Sequence, residues 1–179
     1  MRSRATNIAV SVAFVVFGEP GILALYYPAW VTRWRLPLEP WPVRVLAIAI
    51  LALGVLPLGE SIARFIWQGR GTLVPTHPTA ALVVSGFYRY VRNPMYLGVL
   101  ALIVGQAILF RSRSLAWFAV WVALGFHAFV FLYEERTLRN KYGESYEAFC
   151  DHVPRWIPRL SPWNGGTSPA LGSRKPPAR

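Results

Sequence analysis

From residue 45 to residue 58 the chain reads VLAIAILALGVLPL, without one polar side chain. Extended by its flanks to about 43–67, this run exceeds the roughly 20 apolar residues that carry a helix across the hydrocarbon core of a bilayer. It is not alone. A first stretch at about 7–27 is interrupted by Gly18-Glu19-Pro20-Gly21, which predicts a kink. A third at about 95–110 is short, and a fourth lies at about 115–133. Pro57 predicts a kink in the second. Only Arg111-Ser112-Arg113-Ser114 separates the last two, so they are expected to form an antiparallel helical hairpin. The expected fold class is an all-α, polytopic helical membrane protein of about four spans.

Composition agrees with this. Charged residues make up 15% of the chain, against about 25% in an ordinary soluble domain. The formal charge of +11 does not point to nucleic acid, because the basic residues are spread between apolar spans and form no single patch. They read as topology signals and as attraction to anionic membrane lipids. The opening Met-Arg-Ser-Arg precedes an apolar stretch too long for a signal peptide, with no convincing cleavage site, so it is retained as a span. Cys150 is the one cysteine, so an internal disulfide is excluded and an inert thiol is expected.

Three regions are expected: 1–67 as N-terminal membrane helices, 68–160 as a connector, hairpin and C-terminal helix, and 161–179 as a Pro-, Gly- and Ser-rich disordered tail. Leu138, Tyr142, Tyr146 and Phe149 recur at helical spacing and predict an amphipathic helix over about 134–156. Trp30, Trp34, Trp41 and Trp67 fall near span ends, as interfacial aromatics do. With both termini on one side, that side collects Arg64, Arg70, Arg89, Arg92 and the basic residues from Arg136 onward. The other side holds Arg33, Arg35, Arg44, Arg111 and Arg113. The excess predicts an inner or cytoplasmic membrane protein with both termini cytoplasmic.

Chemistry concentrates where apolar spans begin and end. The connector reads SGFYRYVRNPMYLGV over residues 85–99, and the fourth span ends in Tyr-Glu-Glu-Arg at 133–136. Asn93-Pro94 suits a helix start, with asparagine as N-cap and proline in the first turn. Tyr88, Tyr90 and Tyr96 suit a membrane belt equally well. Glu134 and Glu135 opposite an arginine- and tyrosine-rich connector are able to hold a ligand carrying both charges, such as an amino-acid moiety. A histidine within an apolar span, His127, is costly and is a candidate catalytic or ligand-binding group; at seven residues before Glu134 it is expected on the same helical face. Glu60 is expected to pair with Arg64 four residues on, whereas Glu19 has no local partner. His77 and His152 have no metal-like companions, so no metal is expected. Gly69-Arg70-Gly71 is a weak glycine signal, and no Gly-x-Gly-x-x-Gly follows a strand pattern, which argues against a soluble dinucleotide-type fold.

Taken together, "LVVSGFYRYVRNPMYLG" and "EERTLRNKYGESYEAFCDHVPRWIP" resemble the isoprenylcysteine carboxyl methyltransferase and phospholipid methyltransferase superfamily of membrane enzymes. The resemblance covers about 68–160. It implies S-adenosyl-L-methionine as cofactor and a lipophilic methyl acceptor taken from the bilayer. It also implies a cofactor pocket lined by Ala80, Ala81, Leu82, Val83, Tyr88, Asn93, Pro94, Met95 and Tyr96, closed by Glu134, with Glu135 beside it and Arg92 near the cofactor carboxylate. Two positions depart from the family pattern. Asn93 stands where a histidine is usual, which removes a proton acceptor. Val130 stands where the carboxyl methyltransferases carry a basic residue, which predicts poor activity on carboxylates. A non-enzymatic membrane adaptor or scaffold, or a small transporter subunit, would use the same basic loops and intramembrane acids without binding the cofactor.

Overall fold

The computed structural model describes residues 21–37, 40–68, 82 and 84–164, the side chains of 62 and 64–68 excepted. Most of the first expected span, Glu19, Gly69-Arg70-Gly71, His77 and residues 165–179 lie outside the described residues. Among those described, every regular element is helical. Helix α1 (Ile22–Thr32) opens with a π-helical turn at Ile22–Tyr26. Helix α2 (Trp41–Gln68) carries Pro57 in its interior. A 3-10 turn (Gly86–Arg89) leads to α3 (Pro94–Leu109) and α4 (Arg113–Phe129). A π turn (Val130–Glu134) joins α4 to α5 (Glu135–Tyr142), and α6 (Glu144–His152) follows.

Two stretches are long and apolar enough to cross a membrane, Trp41–Ser61 and Arg113–Tyr142. Only 11% of the apolar window of the first is buried, so it is not the core helix of a soluble domain. Val45, Leu46, Ile48, Leu53, Val55 and Leu56 all face outward, a continuous apolar surface of the kind that belongs against lipid. Helix α3 has 16 residues, about 24 Å at 1.5 Å per residue, shorter than the hydrocarbon core of about 30 Å.

The contact between α2 and α3 is the most intimate in the molecule. The helices run antiparallel, and glycines let their backbones touch. A Cβ on Gly54 would sit 2.8 Å from the Gly98 carbonyl oxygen, and one on Gly98 would sit 2.8 Å from that of Gly54. Near the other end, a Cβ on Gly105 would meet the Leu51 side chain at 2.7 Å and the Ala47 carbonyl at 3.2 Å. Small residues at such spacings drive helix association in lipid, where no hydrophobic force separates helix from solvent.

Helix α4 returns beside α3, as the four-residue separator predicts. Arg111 takes a left-handed conformation in the turn (φ 47°), and Ser112 accepts a hydrogen bond from the Leu115 amide to start α4. Trp34 packs edge-on against Phe110, so Arg33, Trp34 and Arg111 gather at this end, as the charge pattern requires. Helix α1 is stapled to the pair by Gln106, whose amide donates to the carbonyls of Ala24 (2.8 Å) and Leu102 (3.0 Å). Ala24, Val99, Ile103, Ala119 and Val122 form the core among these helices.

The amphipathic segment at the opposite end corrects its prediction in one respect. It is two helices, because Gly143 adopts a positive φ of 52° between them, a conformation that glycine tolerates best. The predicted stripe still forms the packed face. Tyr146, Phe149 and Val153 make a second core with Leu138, Tyr142, Leu82, Val84 and Trp163 against it. Beyond α6 the chain runs as a strap along the connector. Arg92, Arg159 and Trp163 donate backbone N–H groups to Pro154, Tyr90 and Arg89, each at 2.9 Å. Trp163 also stacks on His152, so packed chain continues past residue 160, where composition marked its end.

Gly98→Ala forces a methyl group against a backbone oxygen and is expected to destabilise the protein by about 1–3 kcal/mol, the usual cost of overpacking. Gly59→Ala lies on the same helix pair but meets nothing within 4 Å among the described residues. Thermal unfolding in detergent should therefore separate the two variants, with the melting point falling only for Gly98→Ala.

Candidate functional site

Three chain segments meet at the membrane end opposite the 110–112 turn. Tyr96 lies in the first turn of α3, whose first helical residue is the buried Pro94. Its hydroxyl donates to Glu134 Oε2 at 3.0 Å, tying the start of α3 to the π turn that ends α4. Tyr88 comes from the 3-10 turn, and its hydroxyl faces Ser61 of α2. Burial pushes that hydroxyl up to about 12; the Ser61 hydroxyl works against the shift, and the Glu134 and Glu60 carboxylates add to it. Glu60 Oε2 accepts the Phe87 backbone N–H at 2.9 Å and so fixes the 3-10 turn on α2. The result is a polar recess walled by Ser61, Tyr88, Tyr96 and Glu134. Tyr96 engages one oxygen of Glu134; the other has no partner among the described residues.

The adjacent glutamate does different work. Glu135 is 6% exposed and lies between two guanidinium groups. Arg92 Nη1 is 3.0 Å from its Oε1. Arg155 reaches both oxygens, Nε to Oε1 at 2.6 Å and Nη2 to Oε2 at 2.9 Å. This bidentate geometry is the strong form of the Arg–carboxylate pair. Its hydrogen bonds raise the Arg155 pKa above the ordinary value. Arg92 Nη1 also lies 2.9 Å from Cys150 Sγ. Nearby, burial raises the Tyr146 hydroxyl pKa, with Cys150 and Glu135 adding to the shift and Arg92 opposing it.

Asn93 occupies the N-cap position of α3 but does not cap with its side chain. Its Nδ2 donates instead to the Arg155 carbonyl oxygen at 3.2 Å. The asparagine thus fastens the strap and leaves the first amides of α3 uncapped by it. Met95 is half-buried beside Pro94. Leu82 packs on the Tyr146–Phe149–Val153 core. Ala80, Ala81 and Val83 lie outside the described residues.

His127 stands apart from this group. Its Nδ1 accepts from Trp156 Nε1 at 3.1 Å, and its ring stacks on Phe131. It lies on the exposed side of α4, while Glu134 turns toward α3. The cause is the intervening π turn: its i→i+5 hydrogen bonds break the regular register that would put residues seven apart on one face. Val130 opens the π turn and is 1% exposed, a core residue.

Three contributors carry little signal in the sequence. Ser61 looks like an ordinary helix residue, and the spacing of Glu60 to Arg64 says nothing of its bond to the Phe87 amide. Their signal was position, as the first polar pair after a long apolar run. Arg155 had only its place in VPRWIP to mark it. Groups of three or more metal-ligating side chains are absent among the described residues.

Beside Tyr96, on the apolar side, a cleft of about 330 Å³ opens between α1, α3 and α4. A family model described as phospholipid methyltransferase matches residues 43–145, more than half of the chain. No curated protein and no solved structure matches.

The two adjacent glutamates should respond differently to loss of charge. Glu135→Gln leaves two guanidinium groups without their anion and is expected to cost about 3 kcal/mol of stability, as broken buried pairs do. Glu134→Gln keeps a hydrogen-bond acceptor for Tyr96 and should melt close to the parent protein. Differential scanning fluorimetry on the two variants reads this contrast.

Proposed function

The chain belongs to the phospholipid methyltransferase family, and on that premise we propose that it is an integral-membrane, S-adenosyl-L-methionine-dependent methyltransferase acting on a lipophilic acceptor. The observation that carries the reading is the Tyr96–Glu134 hydrogen bond at 3.0 Å. It puts a carboxylate with one oxygen to spare opposite the first turn of α3, with Tyr88 alongside.

The residues fit the cofactor by chemistry. Glu134 accepts from an ammonium. The N-terminal amides of α3 are donors for a carboxylate, and the helix dipole favours an anion there. Tyr88 and Tyr96 wall a flat heterocycle. When bound, the cofactor supplies a methyl group made electrophilic by a sulfonium. The protein's contribution is then orientation and exclusion of water. Tyr88 is held neutral to about 12, so at neutral pH it is a hydrogen-bond donor and not a base. The Glu135–Arg92–Arg155 cluster holds connector, α5 and strap in register behind the recess. Val130, apolar and in the core, offers no charge to a substrate carboxylate, which favours acceptors other than farnesylcysteine-type carboxylates.

Orientation follows from charge. Arg89, Arg92, Arg136, Arg139, Lys141, Arg155 and Arg159 lie at the recess end, and Arg33, Arg35, Arg44, Arg111 and Arg113 at the other. The recess then faces the cytoplasm in an inner or cytoplasmic membrane, where the water-soluble cofactor is available. An impermeant thiol reagent should label Ser112→Cys from outside, on a Cys150→Ala background, and reach Ser161→Cys only after the membrane is opened. The reverse pattern would invert the topology.

Calorimetry tests the cofactor site. The parent protein should bind S-adenosyl-L-methionine. Glu134→Gln and Tyr96→Phe should each weaken binding; a lost hydrogen bond to a charged group is worth about 1.5–3 kcal/mol, or about ten- to a hundred-fold in affinity. Lys175→Ala should change nothing. Absence of binding by the folded parent protein would remove the reading and leave the adaptor and transporter alternatives.

A further inference from the structure

Five glycines lie along α2, α3 and α4, and three have a packing reason to be there. Gly54, Gly98 and Gly105 lie where a Cβ would strike the neighbouring helix. Gly125, in the second half of α4, meets nothing within 4 Å among the described residues. A glycine weakens a helix interior relative to alanine, and among the described residues no helix contact accounts for this one. Gly59 is also open, but it does not line the cleft beside Tyr96, and Gly125 does.

That cleft is bounded by Ile22, Leu23, Val122, Phe126 and Phe129, all apolar, together with Gly125 and Tyr96. It is open, not sealed within the described helices. The Tyr96 ring packs against Phe126 at 4.6 Å between centroids, while its hydroxyl is bonded to Glu134. One residue therefore forms the wall between the apolar cleft and the polar recess. A molecule with a hydrocarbon chain in the cleft would present its polar end at Tyr96 and Glu134.

We propose that the cleft between α1, α3 and α4 is the hydrocarbon slot of the methyl acceptor, and that Gly125 sets the width of chain it admits. The inference rests on the methyltransferase reading and adds to it the chain-binding subsite and its selectivity residue. Three features support a lipid chain as occupant: the apolar lining, the continuity with the recess through Tyr96, and the space kept open above Gly125. A straight acyl or prenyl chain fits such a groove without desolvating any polar group except at its headgroup end. Gly125→Leu fills the slot, and Gly125→Ala narrows it.

The test uses the full-length protein in phosphatidylcholine nanodiscs doped with a phosphatidylethanolamine that carries a diazirine midway along one acyl chain. After irradiation, labelled peptides are mapped by mass spectrometry. The outward face of α2, with exposed Leu53, Val55 and Leu56, serves as the internal standard for bulk lipid. Labelling at residues 122–129 should exceed that of α2, and an excess of undoped phosphatidylethanolamine should compete it away. Gly125→Leu should lower the labelling of this segment by about tenfold, the size expected when a side chain takes the place of two buried methylene groups. Gly125→Ala should lower it less, and it supplies the comparison if the leucine variant does not fold. Labelling of 122–129 at the α2 level would mean bulk lipid only, and absence of labelling would mean that the protein's own chain or another copy covers the cleft; either result overturns the slot. Unchanged selective labelling in folded Gly125→Leu overturns the role of Gly125. Calorimetry with S-adenosyl-L-methionine on the same samples separates the two readings. Selective labelling without cofactor binding would sink the methyltransferase function and leave a lipid site, whereas cofactor binding with bulk-level labelling would sink the slot alone.

Discussion

The backbone contact between α2 and α3 sets the positions of everything at the recess. In lipid, two helices gain little by merely being apolar, since hydrocarbon surrounds them either way. They associate when their surfaces allow close approach. Gly54 and Gly98 remove the side chains that would hold the backbones apart. With that crossing established, Glu60 and Ser61, where the apolar stretch of α2 ends, come level with Tyr88 in the 3-10 turn and Tyr96 at the start of α3. The Phe87 amide bonded to Glu60 then carries the connector across the gap. Gln106 extends the arrangement to α1 through the Ala24 carbonyl.

A second constraint comes from the break in regularity at the end of α4. An uninterrupted α-helix would present His127 and Glu134 on one face. The π turn separates them, delivering Glu134 to Tyr96 and leaving His127 against Trp156. The next residue, Glu135, then points at Arg92 and Arg155. Two neighbouring carboxylates therefore take opposite roles: one is neutralised and nearly buried, the other keeps an oxygen available. The neutralised one secures the segments that frame the recess, so the available one needs no structural partner beyond Tyr96. π turns often mark functional positions, and here the turn sets which acid faces the recess.

The strap after α6 completes the frame by backbone bonding to the connector, with the Asn93 amide and the Arg155 side chain as cross-ties. Arg89 adds bonds to the Trp163 carbonyl and to the Asn164 side chain. A connector between spans is ordinarily the most mobile part of a membrane protein. Its residues 87–92 are held from two sides, by α2 and by the strap. Pre-organisation of that kind reduces the ordering cost of binding a ligand there.

Apolar run length, Lys/Arg asymmetry and the four-residue separator already determined the helical class, the third and fourth elements as a hairpin, and the two ends of the bundle. These are local properties, written in hydropathy and charge, and they need no knowledge of which residues touch. The stripe of Leu138, Tyr142, Tyr146 and Phe149 was legible for the same reason, whereas the break at Gly143 that divides its helix was not read from it. The partners of polar side chains were not legible. Asn93 read as a cap and ties the strap; Glu60 holds an amide 27 residues on, a bond that no local spacing announces; His127 read as a neighbour of Glu134 and is turned away. Each of these depends on a helix crossing or a π turn, in which a shift of one residue changes the face a side chain presents. Local spacing carries no record of such shifts, so only the tertiary structure decided which groups meet.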